Sequence, residues 1–129
     1  MIKINLKKAI ESNSALQILL STDNINSQTS YNIAKVVRCI KGPIDSYNTI
    51  MTKRVNELVN KDESGKPIMK NDGTPDINEP IKTDLVNELN KILENQKIEI
   101  GVEKIPLSEF SKATIKPVVF LILDWLISE

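Results

Sequence analysis

Residues 33–58, IAKVVRCIKGPIDSYNTIMTKRVNEL, decide how the chain folds. Ile33, Val36, Val37, Ile40, Ile44, Tyr47, Met51, Val55 and Leu58 recur at steps of three and four, the spacing that lines one face of an α-helix. The stripe keeps its phase through Gly42 and Pro43, so the reading is one long helix, kinked or straight, and not two unrelated ones. Upstream, Thr29 or Ser30 supplies an N-cap, and the helix runs to about Asn60. A helix of ~30 residues is ~45 Å long at 1.5 Å per residue. A compact domain of this size is roughly 35 Å across, so the rod overshoots and needs either a bend or a partner. Pro43 removes one helical hydrogen bond, to the carbonyl of Cys39, which makes the pair the place for strain to collect.

On either side of this helix the patterns are shorter. Ile2, Ile4 and Leu6 alternate with polar residues, as do Ile98, Ile100 and Val102, and both read as strands with one buried face. They are expected to pair with each other or with a hairpin. Ala9, Ile10, Ala15, Leu16, Leu19 and Leu20 predict a short helix, interrupted near Ser12 to Ser14, and residues 21–30 read as a loop. Gly65 and the Asn71-Asp72-Gly73 turn flank Ile68 and Met69, predicting a small protruding hairpin within 62–79. Asn78 to Pro80 opens a helix striped by Ile81, Leu85, Leu89, Ile92 and Leu93. Leu107 to Phe110 reads as one helical turn, and Pro117 starts a buried apolar helix reaching Ile127. The expected architecture is a single α+β domain over residues 1–129, a long helix with two or three others on a small, mainly antiparallel sheet.

Composition narrows function. The 129 residues carry 17 basic and 17 acidic side chains and no histidine. Without histidine there is no Ser-His-Asp or Cys-His nucleophile system and no imidazole metal ligand. Zero net charge and only 4% aromatic residues argue against nucleic acid as a partner. A single cysteine forms no internal disulfide. The run from Val118 to Ile127 spans ~15 Å as a helix, half a bilayer core, and contains Asp124, so no membrane span is expected. The charge-interleaved start of the chain does not read as a signal peptide, and cytosolic synthesis is the expectation.

No cluster names a reaction. Asp62, Glu63, Asp72, Asp76 and Glu79 lack the spacing of a calcium loop and read as solvated loop carboxylates. Lys35, Arg38 and Lys53 fall opposite the apolar stripe and form a basic ridge, read as an ordinary solvated face. Cys39 lies off the stripe with no catalytic partner. Tyr31, Tyr47 and Trp125 are interface anchors or core. The sequence suggests no cofactor, metal or small-molecule substrate, and no enzyme; a carboxylate-dependent hydrolase would need acids converging in a cleft. Lys35, Arg38, Lys53, Asp62, Glu63 and Asp72 remain as the candidate interaction surface, with another protein or a second copy as partner.

The order of landmarks resembles a family of small bacteriophage and prophage proteins that constitutes a domain of unknown function. The matching pieces are the opening strand, Ala15-Leu16, Tyr31-x-Ile33-Ala34-Lys35, Lys61-Asp62-Glu63-x-Gly65-Lys66, Asn71-Asp72-Gly73, Asn87-Glu88-Leu89, Ile98-Glu99-Ile100 and a closing apolar helix. Gly42-Pro43 departs from the pattern, in which helix formers continue. The resemblance implies synthesis in a bacterial host during infection or from a prophage. It supports two expectations: a host-takeover or defence-inhibitor type factor in the host cytoplasm, or a virion head or tail accessory component that oligomerises.

Overall fold

In the computed structural model, which describes residues 1–129, the fold is α+β. Strand β1 (Ile2–Asn5) passes without a loop into helix α1 (Leu6–Leu20), followed by the long helix α2 (Ser27–Leu58) and helix α3 (Ile81–Asn95). Strands β2 (Lys97–Ile100) and β3 (Ile105–Pro106), a 3-10 turn at Leu107–Phe110, helix α4 (Pro117–Ile122) and strand β4 (Ile127–Ser128) complete the chain.

The alternation read in the sequence is what pairs β1 with β2. They run antiparallel with Ile2 opposite Ile100 and Ile4 opposite Ile98, so one face of the ribbon is aliphatic. On the other face Lys3 sits opposite Glu99, their side chains 3.5 Å apart. β3 and β4 form a separate two-stranded parallel pair, with Ile105 opposite Ile127, so there are two small sheets and not one. Ile33, Val36 and Ile40 of α2 pack with Leu6, Leu16 and Leu19 of α1, Ile98 and Ile100 of β2 and Leu123 and Leu126 near the C-terminus in one core.

Several expectations are corrected. The cap of α2 is Asn26, not Thr29 or Ser30: its side-chain oxygen accepts from the Thr29 N–H at 2.9 Å, so the helix begins at Ser27 and the preceding loop ends at Asn26. α1 is continuous through Ser12 to Ser14. Ser12 is fully buried there, and its hydroxyl accepts the Trp125 indole N–H, which removes the cost of a polar group in the core. The closing helix stops at Ile122, five residues short of Ile127, because Ile127 is used in the strand pair with Ile105. Its outer side is open to solvent, with Leu121 74% exposed. α2 itself stays helical through Gly42 and Pro43 for 32 residues.

Residues 60–76 are not a simple hairpin. No strand forms; isolated bridges join Lys61 to Pro67 and Met69 to Pro75. The same bonds recur eight residues apart. The Asp62 N–H donates to Lys66 O as Lys70 N–H does to Thr74 O, and Gly65 N–H donates to Asp62 O as Gly73 N–H does to Lys70 O. Gly65 and Gly73 both adopt positive φ, at 83° and 84°, and Pro67 and Pro75 follow at matching places. Three backbone bonds close the motif into a ring: Asn60 N–H to Asp76 O at 2.8 Å, Asp76 N–H to Ile68 O at 2.9 Å, and Ile68 N–H to Asn60 O at 2.8 Å.

Candidate interaction surface

The long stripe on α2 is shared between two apolar clusters. Its first half lies in the main core, whereas Val55, Leu58 and Val59 pack with Ile77, Leu85 and Leu89 in a second, smaller one. α3 runs back along α2, Arg54 meeting Glu88 while Tyr47 and Ile92 share a groove nearer the core. The two helices therefore form an antiparallel arm, and the ring of residues 60–76 is its tip. No third layer covers the arm; Met51, Val55, Leu58 and Leu89 are only half-buried.

One flank of the arm carries an ion-pair network, with the exposed Ile50 and Ile81 on the same side. The Arg54 guanidinium donates to Glu57 at 2.6 Å and to Glu88 at 3.3 Å, and these carboxylates, Glu57 foremost, hold its proton more firmly than usual. Val55 and Leu89 each follow one residue after Arg54 and Glu88, about 100° further round their helices. Because equal rotations on antiparallel helices lead to the same side, Val55 and Leu89 open onto the opposite flank. Val86 lies on that flank too and is 47% exposed.

At the tip, the two recurring turns are held by carboxylates. Asp62 Oδ1 accepts from the Ser64 hydroxyl at 2.7 Å and from the Ser64 and Lys66 N–H groups. Asp72 Oδ1 accepts from the Thr74 hydroxyl at 2.6 Å and the Thr74 N–H. These bonds, the hydroxyl ones first, hold both carboxyls below the ordinary carboxylate range. Both acids thus serve their own turns. Glu63 is exposed beside them. No group of three or more His, Cys, Asp or Glu side chains is placed to hold a metal ion.

Several recesses surround the arm and core. At the arm's root, Leu6, Pro43, Tyr47, Ile50 and Ile92 line an apolar groove of about 480 Å³, where burial pushes the Tyr47 hydroxyl above its usual pKa. A polar recess of about 560 Å³ lies where α2 begins, lined by Asn26, Lys35, Glu103, Lys104 and Glu109 among others. There the Glu109 carboxylate accepts from Asn26 Nδ2 at 2.7 Å and Thr29 Oγ1 at 3.3 Å, placing negative charge at the positive end of α2. A third, of about 440 Å³, lies beside α4 around Leu107, Phe110, Ile115 and Phe120.

The six candidate residues do not converge. Lys35 is half-buried at the polar recess, its ammonium 5.9 Å from the ring centre of the exposed Tyr31. Arg38 is exposed on the same helix, and Lys53 is eighteen residues beyond Lys35, ~27 Å along the axis, out on the arm. The basic ridge is therefore a neighbouring pair, Lys35 and Arg38 one turn apart, with Lys53 well away from them. Asp62, Glu63 and Asp72 share the tip. Sequence reasoning missed the aliphatic flank: Val86 lies one position after core residue Leu85, and its excess over the needs of the α2 contact was the available signal. No helix is long and apolar enough to cross a membrane. Comparison of the chain with protein-family models, with curated proteins and with solved structures finds no match.

Proposed function

We propose that this chain is a non-enzymatic, phage- or prophage-encoded factor that acts in the bacterial host cytoplasm by contact with another protein, presenting its arm and tip. The observation that carries the reading is surface area. The chain exposes 8508 Å². A compact folded monomer of 14.5 kDa exposes ~6,900 Å² by the usual size scaling, which leaves ~1,600 Å² in excess. A standard protein interface takes ~800 Å² from each partner, so the surplus suffices for one with area to spare. The arm accounts for where such surplus arises, since its helices are covered on one side only.

The test is capture from phage-infected host lysate by the immobilised chain, compared with a variant carrying Glu63→Lys and Lys66→Glu at the tip. The expected result is one host or phage protein retained near stoichiometry and lost with the variant. Retention of nothing, or of the same proteins by both forms, overturns the reading. The half-open aliphatic arm also favours a second reading, a virion head or tail accessory component. That one requires the chain to appear in purified particles, and its absence from them excludes it.

A further inference from the structure

We infer that the free edge of β2, continued through residues 101–104, docks an extended, acidic peptide segment of a partner protein, which adds to it as a third strand. This rests on the reading that the chain works through protein contact, and it places a second contact at the other end of α2 from the tip. The ladder decides which backbone groups are free. The Leu6 N–H donates to Gln96 O at 2.9 Å, and bonded pairs alternate along an antiparallel ladder, so Ile4–Ile98 and Ile2–Ile100 are the bonded pairs. The N–H and C=O of Lys97 and Glu99 therefore point away from β1, and no strand lies on that side. Gly101 continues their phase, and none of the backbone groups of residues 101–104 enters a backbone hydrogen bond. The edge from Lys97 to Lys104, ~26 Å at 3.3 Å per residue, thus lacks a strand partner, and such an edge is a template for one. The other edges are shorter: β1 turns into α1 at Asn5, and β3 and β4 have two residues each.

The recess beside this run suits a peptide. Residues 101–104 line it together with Gln28, Asn32 and Lys35 of α2, and its hydrophobic members are Val102 and Ile105. An apolar small molecule finds too little lining of its own kind there, whereas a peptide backbone meets amides, carbonyls and polar side chains. Gly101 has open space where a Cβ would stand, so a second backbone can come close. Charge selects the sequence of the segment. The ion pairs of the protein use Lys3 and Arg54 as their cations, which leaves Lys35 and Lys104 of the recess unpaired. Of the acids there, Glu109 is held by Asn26 and Thr29, and Glu103 alone offsets the two lysines. An acidic side chain on the docked segment supplies the missing charge.

Peptides of about eight residues, alternating Val and Thr with Asp, Ser or Lys at the centre, test this by amide exchange of the full chain. The Asp peptide is expected to slow exchange of the Lys97, Glu99 and Gly101 amides about tenfold, while its N-methylated form, which cannot donate, does nothing. Gly101→Pro removes one outward donor at a place where a strand edge tolerates proline, and should weaken binding about tenfold with circular dichroism unchanged. Lys35→Glu should reverse the preference, so that the Lys peptide binds better than the Asp peptide. No added protection from any peptide overturns the inference, and so does equal binding of the Asp and Lys peptides by the unaltered chain. Protection of Glu99 that rises with protein concentration alone assigns the edge to a second copy and overturns it too. Glu63→Lys with Lys66→Glu at the tip should leave peptide binding unchanged, so this contact and the tip-dependent capture fail separately.

Discussion

The indole N–H of Trp125 donates to the hydroxyl of Ser12 at 2.9 Å, joining residues 113 positions apart. Ser12 sits in the middle of α1, fully buried, where a serine is otherwise a poor helix residue. Its hydroxyl ties the C-terminal segment to the first helix at a point where an apolar side chain leaves the indole unsatisfied. Ser12→Ala is expected to cost about 1–3 kcal/mol, the penalty for orphaning a buried donor. Urea unfolding followed by the fluorescence of Trp125, the single tryptophan, measures it directly.

Pro43 sits inside α2 and leaves the Cys39 carbonyl without its helical donor. Gly42 is helical and exposed, with open space where a Cβ would go. Gly42→Ala is therefore expected to stabilise the protein by about 1 kcal/mol, and Pro43→Ala by up to ~3 kcal/mol. A rise in the thermal midpoint for each checks this; a fall for Pro43→Ala means that its ring packing in the groove with Tyr47 outweighs the recovered hydrogen bond.

The tip is expected to loosen in acid ahead of the core. The Asp62 and Asp72 carboxyls lie below the ordinary carboxylate range, held there first by Ser64 and Thr74. A depressed folded pKa means that their contribution is present above the unfolded value and is lost as pH falls through the folded one. Protection of the Ser64, Lys66 and Thr74 amides, relative to their intrinsic exchange rates, should fall below pH ~4, the ordinary carboxylate range, while that of Ile33 to Ile40 is kept. Asp62→Asn should show the same loosening at neutral pH.

The two apolar clusters should separate by mutation. Ile40→Ala removes a fully buried side chain from the main core and is expected to cost about 2–5 kcal/mol in global unfolding. Leu85→Ala empties the small cluster of the arm, and its effect should appear as faster exchange in residues 55–59 and 81–89. Equal loss of protection throughout the chain for Leu85→Ala would show that arm and core unfold as one unit.

Much of this fold was legible from spacing. The alternation of Ile2, Ile4, Ile98 and Ile100 names the buried sheet face, though it left each strand's partner open between the other and a hairpin, and the α2 stripe names a helix that Pro43 does not end. Caps were harder, because Asn26 and Thr29 are both good cap residues and only the backbone decides which one accepts and which one donates. Residues 123–127 were misread as helix because their apolar run fits a buried helix or a strand equally well, and the distant partner Ile105 settles it. The ring at the tip was invisible to local patterns, since Asn60, Ile68 and Asp76 share only their spacing. At the candidate surface, charge picked out Lys35, Arg38 and Lys53, and the helix keeps the first two together while setting Lys53 far along the arm. The flank with Val86 carries no charge to draw attention.

The three backbone bonds among Asn60, Ile68 and Asp76 also alter the connectivity of the chain in practice. They tie the long excursion between α2 and α3 shut, so that the helices are linked across Asn60 and Asp76, and the bonds offset part of the entropy that closing a loop this long costs. A protease cut at Glu63 or Asn71 leaves the ring's three corners bonded, and the nicked halves should stay assembled. The same two turns are then natural sites for inserting a reporter peptide without disturbing the helices.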